Sequence, residues 1–155
     1  MRKKAQTATE YLIILAVVII IALIVVGVMG GIPGIGGGAK GRASAAYWST
    51  ADIAFSSYSI GTTGGTFNIR NNKVNTIQIT DIDLGGPLDP TDWTPNLPIT
   101  LTSGQTQQLT STNTTCATAG DSFSKTVTIT YTDTATGTSY SFDGEGTLLE
   151  GTCAS

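Results

Sequence analysis

The sequence contains no histidine, which removes the commonest general base and metal ligand. Cysteine is nearly as scarce: Cys116 and Cys153 stand alone, and a bridge accounts for them better than a nucleophile does. Charge is sparse as well, with 12% of residues charged and a formal net charge of −3. Nucleic-acid binding wants a basic face, and none is expected here. The glycine-rich stretch at 30–41 lacks the Gly-Lys-Ser/Thr ending of a phosphate loop. Asp81, Asp83, Asp89 and Asp92 match no spaced calcium loop and read as solvated carboxylates. No internal repeat is apparent. These absences put an enzyme last among the possible classes, with no catalytic, cofactor or metal residue expected.

What is present is one long apolar run. Residues 12–26 carry no polar break, and Arg2, Lys3 and Lys4 stand before them. As a helix, residues 11–29 would span about 28 Å, close to a hydrocarbon core of about 30 Å. Apolar residues lie on every face, which is not the pattern of an amphipathic surface helix. The basic cluster places the N-terminus in the cytoplasm and exports the remainder. A long hydrophobic transmembrane helix over residues 6–29 is therefore expected. The run is too long for an ordinary secretory signal, and the small residues at Ser44–Ala46 lie far from its end. A simple signal-anchor fits the length well.

The residues before the run carry a more specific pattern. Ala5-Gln6-Thr7-Ala8-Thr9-Glu10-Tyr11, behind Lys3-Lys4, resembles the class III signal peptide of archaeal type IV pilin-like proteins. That pattern is a basic residue, a small residue, then Gln-x-Ser-x-Glu-Tyr/Phe; Ala8 stands where Ser is usual. The resemblance covers only about the first 30 residues. It implies that a membrane prepilin peptidase cuts between Ala5 and Gln6, discarding the leader 1–5 and keeping the apolar segment. Three positive charges leave with the leader, so the mature chain is near −6. It also implies that Glu10 pairs with the new amine of Gln6 in a neighbouring subunit. Read from the residues alone, Thr7-x-x-Glu10 is a capping box, and an acid in the first turn suits the helix dipole. A carboxylate beside an apolar helix is costly without a partner. The partners implied are further copies of the chain in a helical homopolymer, the peptidase, and the pilus assembly machinery in the membrane. Archaellin is a related alternative, but Gln6 to Tyr11 is closer to the pilin signal.

Residues 30–46 read as a Gly-rich linker or hinge, with Pro33 and the glycines ending the helix. Residues 47–155 read as β. The strand over 52–60 changes parity near Ser56-Ser57, and that over 74–84 near Thr80-Asp81, so each predicts a bulge. Phe67 and Ile69 share one face, as do Val127, Ile129 and Tyr131. Asn71-Asn72-Lys73 reads as a hairpin turn, and Ser103-Gly104 as the turn of a second hairpin. Residues 85–98, with Trp93, read as an irregular loop. Seven or so short strands at this spacing predict an antiparallel, immunoglobulin-like sandwich. The expected fold is thus α + β, a long hydrophobic helix followed by an all-β head. Outside the cytoplasm, Cys116 and Cys153 are expected to form a disulfide. Asn113-Thr114-Thr115 is an N-glycosylation sequon and makes Asn113 a candidate site. The function expected is a filament subunit, held in the membrane and then assembled on the cell surface, with adhesion as its task. The alternative is a membrane-anchored extracellular binding module.

Overall fold

Among the described residues, 10–21 form the first helix, α1. The structure is a computed structural model that describes residues 10–21 and 36–155. The chain falls into two units, Met1–Gly36 and Gly37–Ser155. In the first unit, the long helix expected over residues 6–29 is corrected. The described part of α1 has 12 residues, about 18 Å, and among the described residues no helix is long and apolar enough to cross a membrane. Residues 6–9 and 22–29 lie outside the described residues. An all-round apolar run contains no cap and no periodicity to mark a helix end, so its length does not measure a length of helix.

A second correction concerns the linker expected at 30–46. Residues Gly36–Thr50 form a helix, α2. Its glycines disfavour helix by about 1 kcal/mol each, but tertiary contacts outweigh that local preference. Ser44 and Trp48, one turn apart, are both buried. A Cβ at Gly41 would lie 3.4 Å from the Gly151 Cα, so the missing side chain lets helix and strand backbones approach. At the far end, Thr50 Oγ1 donates to the Ala46 and Tyr47 carbonyls, at 3.3 and 3.1 Å.

Ten strands follow among the described residues: β1 (Ile53–Ile60), β2 (Gly65–Asn71), β3 (Ile77–Leu84), β4 (Trp93–Thr94), β5 (Ile99–Leu101), β6 (Thr106–Ser111), β7 (Ser122–Lys125), β8 (Val127–Asp133), β9 (Thr138–Phe142) and β10 (Leu149–Thr152). One four-stranded sheet has the order β1-β2-β6-β4, a second β5-β3-β8-β9, and β10-β7 form a small third sheet. All these pairs are antiparallel. The inner residues of both large sheets merge into one core, including Phe55, Phe67, Leu109, Ile79, Ile129 and Trp93. The arrangement is sandwich-like. It is not the seven-stranded immunoglobulin pattern that strand spacing suggested, because spacing along the chain reports how many strands exist and not which sheet each joins.

Both expected bulges are present: the register shifts between Phe55 and Ser57 and between Ile79 and Asp81. Both expected hairpin turns at residues 71–73 and 103–104 are absent. Asn71 instead marks a crossing between sheets. Its buried amide donates to the Asn75 and Leu101 carbonyls at 2.9 and 3.0 Å, and its Oδ1 accepts from the Lys73 amide. Ser103-Gly104 likewise joins β5 in one sheet to β6 in the other. Consecutive strands pair only at β1–β2 and β8–β9. The loop at 85–98 contains β4, whose Trp93 is fully buried and donates from Nε1 to the Ile82 carbonyl at 3.2 Å.

Trp48 holds α2 to the sheets. Its ring meets Tyr47, Phe55 and Phe142 edge-on, with centroids at 5.4, 5.3 and 6.0 Å. Gly144 makes room for it: φ is +64°, and an added Cβ would clash with the Trp48 ring. Trp48→Ala is therefore expected to cost about 3–5 kcal/mol. Urea unfolding would show the lower midpoint, and hydrogen exchange would show α2 losing protection before the β3–β8 pair does.

Candidate functional site

The apolar residues of α1 are exposed on all faces. Tyr11, Leu12, Ile13, Ile14, Val17, Val18 and the Ile19–Ile21 run each show about half or more of their surface, and Tyr11 shows 67%. A stripe facing a core would leave its opposite face polar; α1 has no such polar face. Contiguous apolar exposure of this kind marks a surface that associates with lipid or protein. Glu10 is the first described residue of α1 and is exposed. Ala5 and Gln6, the expected processing site, and Thr7, the expected capping partner, lie outside the described residues.

In the head, a single hydroxyl joins the first and last elements. Ser44 Oγ donates to the Leu148 carbonyl at 2.9 Å and accepts from the Glu150 amide at 2.9 Å. Tyr58 OH donates to the Glu150 carbonyl at 2.7 Å, and its oxygen lies 3.3 Å from Ser44 Oγ. Burial pushes the Tyr58 phenol above its ordinary pKa, while Ser44 pulls the other way and the Glu150 charge adds to the rise. The phenol thus remains a donor. Trp48 Nε1 donates to the same Leu148 carbonyl at 3.2 Å. These residues were not singled out in the sequence. The spacing of Ser44, Tyr47, Trp48 and Ala51 is the helical signal that the glycines before it obscured.

The cysteines fasten the other end of β10. Cys116 and Cys153 form the expected disulfide, with Cα atoms 5.9 Å apart. The backbone around them is tied to the end of β1: the Cys116 amide donates to the Gly61 carbonyl at 3.0 Å, and the Ala154 amide to the Ile60 carbonyl at 2.8 Å. Asn113 lies near the bridge, exposed and just past β6, with its amide donating to Ser111 Oγ at 3.2 Å. Thr114 is buried and Thr115 half-buried, so the asparagine is the accessible member of the sequon.

The loop acids serve the backbone. Asp83 accepts from the Leu88 amide at 2.7 Å, Asp81 from Ile82 at 3.0 Å, and Asp92 from Asp89 at 2.9 Å. Burial first, then the charges of Asp83 and Asp89, raise Asp81 above the usual carboxylate range. Among the described residues, no group of three metal-ligating acids or cysteines gathers. Asp133 shifts the other way. A hydrogen bond from Asn75 lowers it, with the Ala135 and Thr136 amides helping. Its contribution to stability is present above the ordinary carboxylate pKa and is lost as the pH falls through the lowered value.

No protein-family model matches the chain, and no curated protein matches it. The site is therefore read from its own residues. Each unit offers its own feature: the first an exposed apolar helix whose first described residue is Glu10, the second a seam that joins α2 to β10. In the chain-entropy model, closing a separation of 37 residues contributes about 4 kcal/mol. Cys116→Ser with Cys153→Ser should lose about that much, measured by urea unfolding. Amide exchange should quicken along β10 and at Ala154 while the β3–β8 ladder keeps its protection.

Proposed function

We propose that this chain is a structural subunit of a surface filament similar to archaeal type IV pili. The observation that carries the reading is the exposure of apolar side chains around the whole of α1. Left in water, that surface would be strongly unfavourable, at roughly 25 cal/mol for each Å² of apolar area. Lipid satisfies it before assembly, and neighbouring copies satisfy it afterwards. The class III-like sequence at residues 5–11 supports the same order of events: the prepilin peptidase removes the leader, the apolar segment remains, and the assembly machinery gathers the subunits. Glu10 then pairs with the Gln6 amine of a neighbour, because an unpaired carboxylate in a dry apolar core is costly. The exported head presents uncharged hydroxyl-rich strands to the outside, a surface suited to adhesion.

The test is the Glu10→Ala variant in the native host, beside wild type. The mature chain is expected to begin at Gln6 in both, by mass spectrometry. Filaments that contain this chain are expected from wild type and at least about tenfold fewer from Glu10→Ala, the cost of burying an unpaired charge being several kcal/mol. Equal filament numbers would reject the pairing. Membrane-held single subunits with no filaments under any growth condition would reject the filament in favour of an anchored binding module.

A further inference from the structure

The charges on α2 run against its dipole. A helix favours carboxylates at its N-terminus and cations at its C-terminus. In α2 the first turn has no acid and the last turn no base. Lys40 and Arg42, both exposed, lie in its first two turns instead. Its C-terminal end borders an open cleft of about 220 Å³ lined by Tyr47, Thr50, Ala51, Asp52, Phe142 and Glu145. Asp52 and Glu145 bring carboxylates to it. The Tyr47 phenol is raised by burial first, then by the Glu145 charge, with Asp143 and Asp52 adding to it. The one ion pair among the described residues is Lys73–Asp52, at 3.1 Å. Lys40, Arg42, Asp143 and Glu145 are in none, although Arg42 and Glu150 border one hollow. The head thus exposes uncompensated positive charge at one end of α2 and uncompensated negative charge at the other.

We infer that the N-terminal turns of α2 in one copy dock into the acidic, aromatic cleft at the C-terminal end of α2 in the next, with Lys40 and Arg42 meeting Asp143 and Glu145. The occupant is a second copy because the complementary charges lie on this same chain. Arg42 and Thr50 are about 12 Å apart along the helix axis, so the two patches do not overlap and one copy can use both at once. Such a contact joins unlike patches. Where the rotation between successive copies does not close, such a contact repeats from copy to copy as an open filament. The guanidinium has a planar face to lay against Tyr47 or Phe142. Each copy also relieves the adverse charge at both ends of its neighbours' helices. The inference deepens the filament reading and takes its setting from it.

The test uses the full-length chain in mild detergent, with unlabelled and heavy-nitrogen-labelled copies mixed and joined by a zero-length carbodiimide. Mixed-isotope peptides linking Lys40 to Glu145 or Asp143 are expected. Asp143→Lys with Glu145→Lys should lower their yield about fivefold, the upper range for exposed ion pairs. Adding Lys40→Glu and Arg42→Glu to that variant should restore cross-linking between the exchanged positions. In the wild type, raising salt from about 0.15 to 1 M shortens the screening length from about 8 to 3 Å and should also lower the yield. This salt series decides the matter should the variants melt below wild type. Cross-links that map elsewhere, a yield indifferent to salt, or well-folded exchanged variants that fail to recover would overturn the contact. So would displacement of the partner copy without loss by a basic peptide. Filaments lacking this cross-link would overturn the contact and leave the filament reading standing. The cross-link in a chain that forms no filaments would do the reverse.

Discussion

The bond on which the head depends is the one Ser44 makes with β10. A single hydroxyl donates to the Leu148 carbonyl and accepts from the Glu150 amide. It thereby supplies partners to a strand segment that has only β7 beside it. Tyr58 and Trp48 add further bonds to the same two residues. Among the described residues no buried side-chain polar atom is left without a partner, and this cluster shows how that is reached. Backbone groups with no sheet neighbour are satisfied by side chains from a helix and from β1. Leaving any of them unmet would cost about 1–3 kcal/mol.

That seam also joins the two ends of the head. α2 is its first element, and β10 is its last strand. The Cys116–Cys153 bridge and the bonds to Ile60 and Gly61 hold the far end of β10 to β1. A pull on α2 therefore passes to the C-terminal strand and on into the first sheet without relying on a flexible joint. On the proposed filament reading, this suits a subunit whose N-terminal segment is gripped by neighbours while its head meets the exterior.

The two bulges were legible because a parity change in one strand, from Ile53 and Phe55 to Tyr58 and Ile60, has few other physical explanations. The disulfide was legible from the expectation of export and the lack of any other cysteine. Where a helix begins and ends within the apolar run was not, because residues 12–26 look the same at every position and contain no stop. The acidic cleft was not legible either. Asp52, Phe142 and Glu145 come from distant parts of the chain and meet only because Trp48 seats α2 against β9 and the turn that follows it.

The sequence by itself determined which residues face inward, where the strands bend, and that residues 12–26 must find apolar company. These are local consequences of side-chain alternation and composition. Tertiary structure alone decided which strands pair and that Gly36–Thr50 is a helix. Alternation names the face of a strand but not its neighbour, so Asn71 and Ser103-Gly104 read as hairpin turns although each carries the chain to the opposite sheet. Glycines weaken a helix in isolation. Here the buried pair Ser44 and Trp48 stabilises the helix through contacts about 100 residues away in the chain, and no local propensity contains that information.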